Sequence, residues 1–413
     1  MGTLEEVGEA ARMLPVVGDY DVVVAGGGMA GVAAAVAAAR RGARVGLVEK
    51  QSALGGLATL GNVTIWLPLC DGKGRQVVGG LSEELLRLSV ADLPRDYEAA
   101  RFRRPPACWE KGGDAEERRH RRFKCEFNPS SYMLELEQLV IDEGVHLLYD
   151  TRVCAVQRDG ENLTHLVIEN KSGRRAVACK AVVDATGDAD LCFLAGEETE
   201  SLDSNSTAGW FYTLTDGELR LHQHSKNYCP MATRAGGEGP FFRGDDGAQV
   251  TAQILATRRL LREKLARMRA ERPGDDIQVF NPATIACFRM TRRLVGAFSL
   301  GERHMHEWFD DAIGLTGDWR KAGPVYAIPY RCLCGVRAKN LAVAGRCISV
   351  DTTVWDVTRA IPGCVVTGEA AGTAAAMAAV GCGGDLGALP VRELQEELRG
   401  AGALIEKELV AAV

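Results

Sequence analysis

The chain has 413 residues, 46% hydrophobic and 25% charged, with 55 acids against 49 lysines and arginines and a formal net charge of −6. This balance excludes disordered and fibrous classes and supplies no global positive field for nucleic acid or an anionic membrane. The sequence has no run of about 18 apolar residues, no secretory pattern in its acidic start, and 13 cysteines without a CxxC pair; the expectation is a cytoplasmic protein with reduced thiols and no metal site.

The most informative stretch is Tyr20 to Lys50, YDVVVAGGGMAGVAAAVAAARRGARVGLVEK. Its spacing predicts a strand over 21–25, a glycine turn, an Ala/Val helix ended by Gly42, and a second strand over 45–48. Gly26, Gly28 and Gly31 fit GxGxxG. In a βαβ unit these make the tight turn, admit a pyrophosphate to the backbone, and let helix and strand pack closely. Met29 and Ala30 open the helix, whose free N–H groups suit phosphate oxygens. Glu49, at the tip of the second strand and followed by Lys50, would accept ribose hydroxyls, which argues against a 2′-phosphate. The bland alternative is a glycine turn between packed elements, and the ordered βαβ context argues against it.

Further along, 131–143 has helical periodicity, 145–156 reads as one strand, and 163–169 with 176–183 reads as a hairpin. From Pro362 the sequence PGCVVTGEAAGTAAAMAA predicts a small-residue helix. Trp66 packs either near a cofactor or in the core, the commoner fate.

Gly55-Gly56 followed by Leu57-Ala58-Thr59 resembles the GG doublet of flavoproteins in the glutathione reductase structural class. Val182 to Asp188 resembles that class's ATG motif, and Asn340 to Arg346 its late strand. Together with Asp318-Trp319-Arg320, Ile328 to Arg331 and Trp355 to Arg359, these segments resemble the FAD-dependent oxidoreductases over most of residues 20–380. The resemblance implies FAD. Gly55, Gly56, Leu57, Ala58 and Thr59 would pass the pyrophosphate, and Val153 the adenine. Ala185, Thr186 and Gly187 would lie beneath the adenosine half, and Gly345 and Arg346 beside the ribityl chain. Arg346 stands where the wider class usually has an aspartate. The helix opened by Pro362 and Gly363 would point at the flavin N1–C2=O edge, where its dipole stabilises the negative charge of the reduced ring. With no histidine near the doublet, a histidyl-linked flavin is not expected.

The implied fold class is α/β: a Rossmann-like FAD-binding domain of the glutathione reductase structural class with an inserted α+β substrate or cap domain. Residues 18–74, 130–196 and 326–385 would form the discontinuous FAD domain. Residues 75–129 and 197–325 would form the cap, and 386–413 a C-terminal helical tail.

Flavin chemistry asks the protein for orientation and one acid or base. His304 and His306 are the first candidates, and a surface pair is the competing reading. Arg292 and Tyr330 are candidates for holding a polar or anionic substrate, beside Arg293, Tyr326 and Arg331. His222 and His224 lack a third ligand at zinc spacing. Cys332 and Cys334 are adjacent thiols without the geometry of a stable bridge.

The expected activity is hydride transfer between flavin N5 and a small organic substrate: an alcohol, an amine or an activated C=C bond. No second GxGxxG unit follows, so the other electron partner is O₂, a quinone, a visiting nicotinamide or a protein. One alternative is a flavoprotein acting on RNA through the basic 95–124 segment, against the plainer reading of a solvated loop with interleaved acids. Another is an electron-transfer subunit. Membrane contact is not expected, and a homo-oligomer is allowed.

Overall fold

The computed structural model describes residues 7–93, 104–224 and 239–412. At its centre Val16–Ala25 runs parallel to Val45–Val48 on one side and to Gly173–Asp184 on the other. His146–Leu148 extends the sheet beyond Val45–Val48, and Leu341–Val343 pairs with the far end of Gly173–Asp184, both in parallel. Arg152–Asp159 and Asn162–Asn170 add antiparallel strands, completing seven. Strands buried on both faces need no polar alternation, and Val22, Val23 and Val24 are fully buried.

The 145–156 stretch is two strands rather than the single one expected. Asp150 breaks it at φ 47°, a left-handed turn that the hydrophobic pattern does not disclose. The hairpin forms as expected, over Asn162–Asn170 and Gly173–Asp184.

Helix Met29–Arg40 follows the first strand and packs against helix Ile361–Gly381. The two approach so closely that a Cβ on Gly368 would lie 2.2 Å from the Ala30 carbonyl oxygen, and one on Gly372 2.1 Å from that of Ala34. Small residues four apart on both helices make this crossing possible. Helix Ile361–Gly381 is long and apolar enough to cross a membrane, yet its most apolar window is 89% buried in the protein. No other helix among the described residues meets that test of length and composition.

A second sheet has the order Glu218–Gln223, Trp210–Thr215, Ile277–Pro282, all antiparallel. The 25-residue helix Gly247–Glu271 precedes its last strand, and Asp246 caps it by accepting from the Gln249 N–H. Contacts with the first sheet's loops include Thr284 N–H to the Leu60 carbonyl at 2.9 Å and Thr64 Oγ1 with the Tyr212 hydroxyl, also 2.9 Å.

Candidate active site

Where the parallel strands end, a cavity of about 750 Å³ opens between the glycine turns and the second layer. The carboxyl ends of parallel strands are where such sheets place ligands. Gly26, Gly28, Met29 and Ala30 line it from the first turn, and Glu49 and Lys50 from the second strand. Gly55, Gly56, Leu57 and Ala58 follow, with Val153, Ala185, Thr186, Gly187, Gly345 and Arg346. Gly31, Thr59, Pro362 and Gly363 stand behind this wall. Thr59 donates its hydroxyl to the Leu54 carbonyl at 2.5 Å, and Ile361 and Cys364 take the cavity side of the last helix's start.

Two glycines separate ligand space from packing space. A Cβ on Gly28 would meet nothing within 4 Å, while one on Gly31 would fall 1.7 Å from the Gly26 carbonyl oxygen. Packing therefore demands Gly31, whereas Gly28 keeps open the space in front of the helix. No side chain caps that helix, which leaves first-turn N–H groups for an anion. Five cations (Lys50, Arg152, Arg292, Arg346, Arg359) and five anions (Glu49, Asp188, Asp190, Asp245, Asp246) line the cavity. Their formal charges cancel, so a diphosphate would be held by local geometry rather than net field. These features fit a flavin adenine dinucleotide.

Glu49 already binds backbone: Oε2 accepts from Gly27 N–H at 2.5 Å and Oε1 from Gln51 N–H at 2.7 Å. Each oxygen keeps a second acceptor site for a ribose hydroxyl. The Gly345 N–H is committed, donating to Thr367 Oγ1 at 2.9 Å. Arg346 turns back on the ATG segment, donating from Nε to the Gly187 carbonyl at 3.0 Å and pairing with Asp188 at 3.1 Å.

Several residues within or beside the matched segments have roles that the motifs do not assign. Buried Asp184 holds the ATG turn, accepting from Thr186 N–H and hydroxyl and from Cys192 N–H. Asp188 pairs with Lys50 at 3.6 Å, and Asp190 with Arg292 at 2.7 Å. Burial, then the Asp188 charge, raises the Asp190 carboxyl to about 6. Near the last helix, Arg359 pairs with buried Asp356, which Arg320 also approaches at 3.4 Å. Burial raises Asp356 to about 6. Cys364 also lines the cavity, but burial pushes its thiol to about 11, so it stays protonated at neutral pH. The wall over 244–254 and 284–288 had no sequence signal, because only long-range packing brings it there.

Of the catalytic candidates, the structure brings only Arg292 to the cavity. His304 is buried in a 3₁₀ turn, packed on Phe298 and Phe309, with Nδ1 accepting from Gly301 N–H at 2.9 Å. Burial lowers its pKa. The Nδ1 atom of His306 contacts the Val410 carbonyl at 2.7 Å, and Tyr330 donates to the Leu386 carbonyl at 3.0 Å. None of these three side chains is among those that line this cavity. Trp66 is fully buried in the core, and Arg331 pairs with Asp311. Among the described residues all 12 cysteines are free, and no cluster suited to a metal occurs. In the basic segment, Arg101 and Arg103 lie outside the described residues. Arg119 pairs with Glu116, Arg121 with Glu117, and Arg122 donates to the Asp318 carbonyl.

The family model for FAD-dependent oxidoreductases matches residues 21–213 and 243–398. The chain belongs to the FAD-dependent oxidoreductase family. As a member it is an enzyme with FAD as its cofactor. It is 41% identical over 81 residues to a thioredoxin reductase of Ureaplasma parvum serovar 3, a match covering 20% of this chain and 25% of that reductase. Among solved structures, CabE, an aromatic hydroxylase from angucycline biosynthesis, is 14% identical with a TM-score of 0.44, covering 95% of this oxidoreductase and 71% of CabE. A 3-ketosteroid-delta4-(5alpha)-dehydrogenase from Rhodococcus jostii RHA1 is 14% identical with a TM-score of 0.42, covering 88% and 100%.

Proposed function

We propose that this oxidoreductase exchanges a hydride with a small organic substrate: an alcohol, an amine or an activated C=C bond. The observation that carries the proposal is the shared cavity, with a dinucleotide cradle on one wall and segments 244–254 and 284–288 on the other. When bound, FAD would supply the redox chemistry at N5. Gly28 and the Met29–Arg40 helix start would hold the diphosphate, with Glu49 on a ribose and Val153 by the adenine. The start of Ile361–Gly381 would face the ring, where its dipole favours negative charge. Lys50 and Asp190 then fall at the nucleotide end, leaving Arg359 and the 284–288 segment at the ring end. Arg359, anchored on Asp356, would orient a polar substrate and exclude water.

The strand order supports placing the chain in the glutathione reductase structural class, with the second sheet and its long helix as an inserted cap. The twelve free thiols among the described residues suit a reducing compartment such as the cytoplasm. The electron partner would be O₂, a quinone, a nicotinamide or a protein that reaches the same cavity. An anaerobic metabolite screen following the flavin visible band tests the reading: a substrate that bleaches it supports hydride transfer. Failure of every alcohol, amine and enone to bleach it, with no acceptor reoxidising reduced protein, overturns it.

A further inference from the structure

The charges lining the cavity cancel in total but not along its length. Glu49 accepts from the Gly27 and Gln51 N–H groups, Asp188 pairs with Lys50 and Arg346, and Asp190 pairs with Arg292. Asp245 pairs with Arg243 at 2.8 Å, and Asp246 caps the Gly247–Glu271 helix. None of these contacts involves Arg359, which lines the cavity beside Ile361 and Cys364.

Arg359 belongs to a different set. Its Nε donates to Asp356 Oδ1 at 2.9 Å, Arg320 approaches the same carboxylate at 3.4 Å, and the Arg289 charge acts on it through space. Arg320 also pairs with Asp318 at 2.8 Å. Among the described residues the set therefore holds three guanidiniums against two carboxylates. The Asp356 side chain is fully buried and that of Arg359 is 10% exposed. Burial lowers Arg289 and Arg359 to about 10 and raises Asp356 to about 6, so all three are ionised at neutral pH. Aromatic faces hold both planar cations: Arg289 lies 4.3 Å from the Trp210 ring centroid and Arg359 6.0 Å from that of Trp319. A desolvated cation in surplus at a cavity wall favours an anion opposite it.

We propose that Arg359, backed by Arg289, binds a carboxylate of the substrate, which makes the substrate a hydroxy acid, an amino acid or an unsaturated acid. The assignment rests on the hydride-transfer reading, which sets the flavin ring beside the start of Ile361–Gly381. A single surplus charge compensates one carboxylate, whereas a phosphate dianion would stay half-compensated in a buried site. The planar guanidinium also matches the two oxygens of a carboxylate.

The test uses full-length, FAD-loaded protein with propionate, propionamide and inorganic phosphate as probes. Binding of the first two is read by saturation-transfer NMR on their methyl signals, and of all three by the difference spectrum of the flavin visible band. Propionate is expected to bind saturably and to perturb the band, and propionamide to do neither. Arg359→Gln is expected to weaken propionate at least about tenfold, with FAD content unchanged. Arg359→Lys keeps the charge beside Asp356 and should stay within about threefold of the parent, which separates loss of charge from loss of packing. Arg289→Gln, one step further from the anion, should weaken propionate about threefold. Equal binding of propionate and propionamide, phosphate binding tighter than propionate, or unchanged propionate binding in both glutamine variants overturns the proposal. The redox reading is judged separately. If no substrate bleaches the flavin while propionate binds as described, hydride transfer falls and the carboxylate site stands. If the bleaching substrates are neutral and keep their KM in Arg359→Gln, the carboxylate site falls and hydride transfer stands.

Discussion

Gly28 and Gly31 belong to one motif yet answer to different forces, so their substitutions should separate. Gly28→Ala adds a methyl only to open space. The apoprotein should melt as the parent does while FAD affinity drops at least about tenfold, near 1.4 kcal/mol, as read by flavin fluorescence titration. Gly31→Ala drives a methyl into the Gly26 carbonyl. It should cost about 1–3 kcal/mol or more in denaturant unfolding. His304→Ala gives the opposite dissociation of function from stability. It leaves the Gly301 N–H unpaired in a buried turn and should cost about 1–3 kcal/mol, with flavin reduction rates unchanged. Sequence could not separate the two histidines from a catalytic pair. Residue type and spacing report what a side chain can do, and its distance from a cavity depends on every intervening turn.

At the scale of elements, helix Ile361–Gly381 carries a charge into its own packing face. Glu369 is 3% exposed; its Oε2 accepts from the Leu81 N–H at 3.0 Å, and its Oε1 has no partner among the described residues. Burial, opposed by that N–H, raises the carboxyl from 4.5 to about 7. Because the folded value lies above the unfolded one, this contribution is full below about pH 4.5 and is lost as pH rises through about 7. At roughly 1.4 kcal/mol per unit, the loss approaches about 3 kcal/mol. Urea midpoints should therefore fall less between pH 5 and pH 8 in Glu369→Gln than in the parent. The small-residue pattern of this helix was plain in the sequence, as was the βαβ unit over 20–50, because both rest on local spacing. The break at Asp150 was not, since any polar residue could have continued the strand.

For the whole molecule, the cofactor site draws on both layers, so FAD should stabilise the protein as one unit. At a free concentration 100 times Kd, it should add about 2.7 kcal/mol, seen as a single thermal transition moving upward. The lining residues from the first layer were legible because phosphate cradles need glycines at fixed offsets. The opposing wall, over 244–254 and 284–288, was not, because its residues are ordinary and only the tertiary fold makes them neighbours.

The crossing of the Ala30–Ala34 face with Gly368 and Gly372 also bears on how the protein is made. The first helix emerges from the ribosome more than 300 residues before its mate, so the earliest part of the coenzyme grip must wait, half-built, for almost the last. A chain stopped before Ile361 should emerge colourless, and nascent chains of that length should depend on chaperones to keep the alanine face from sticking to its neighbours.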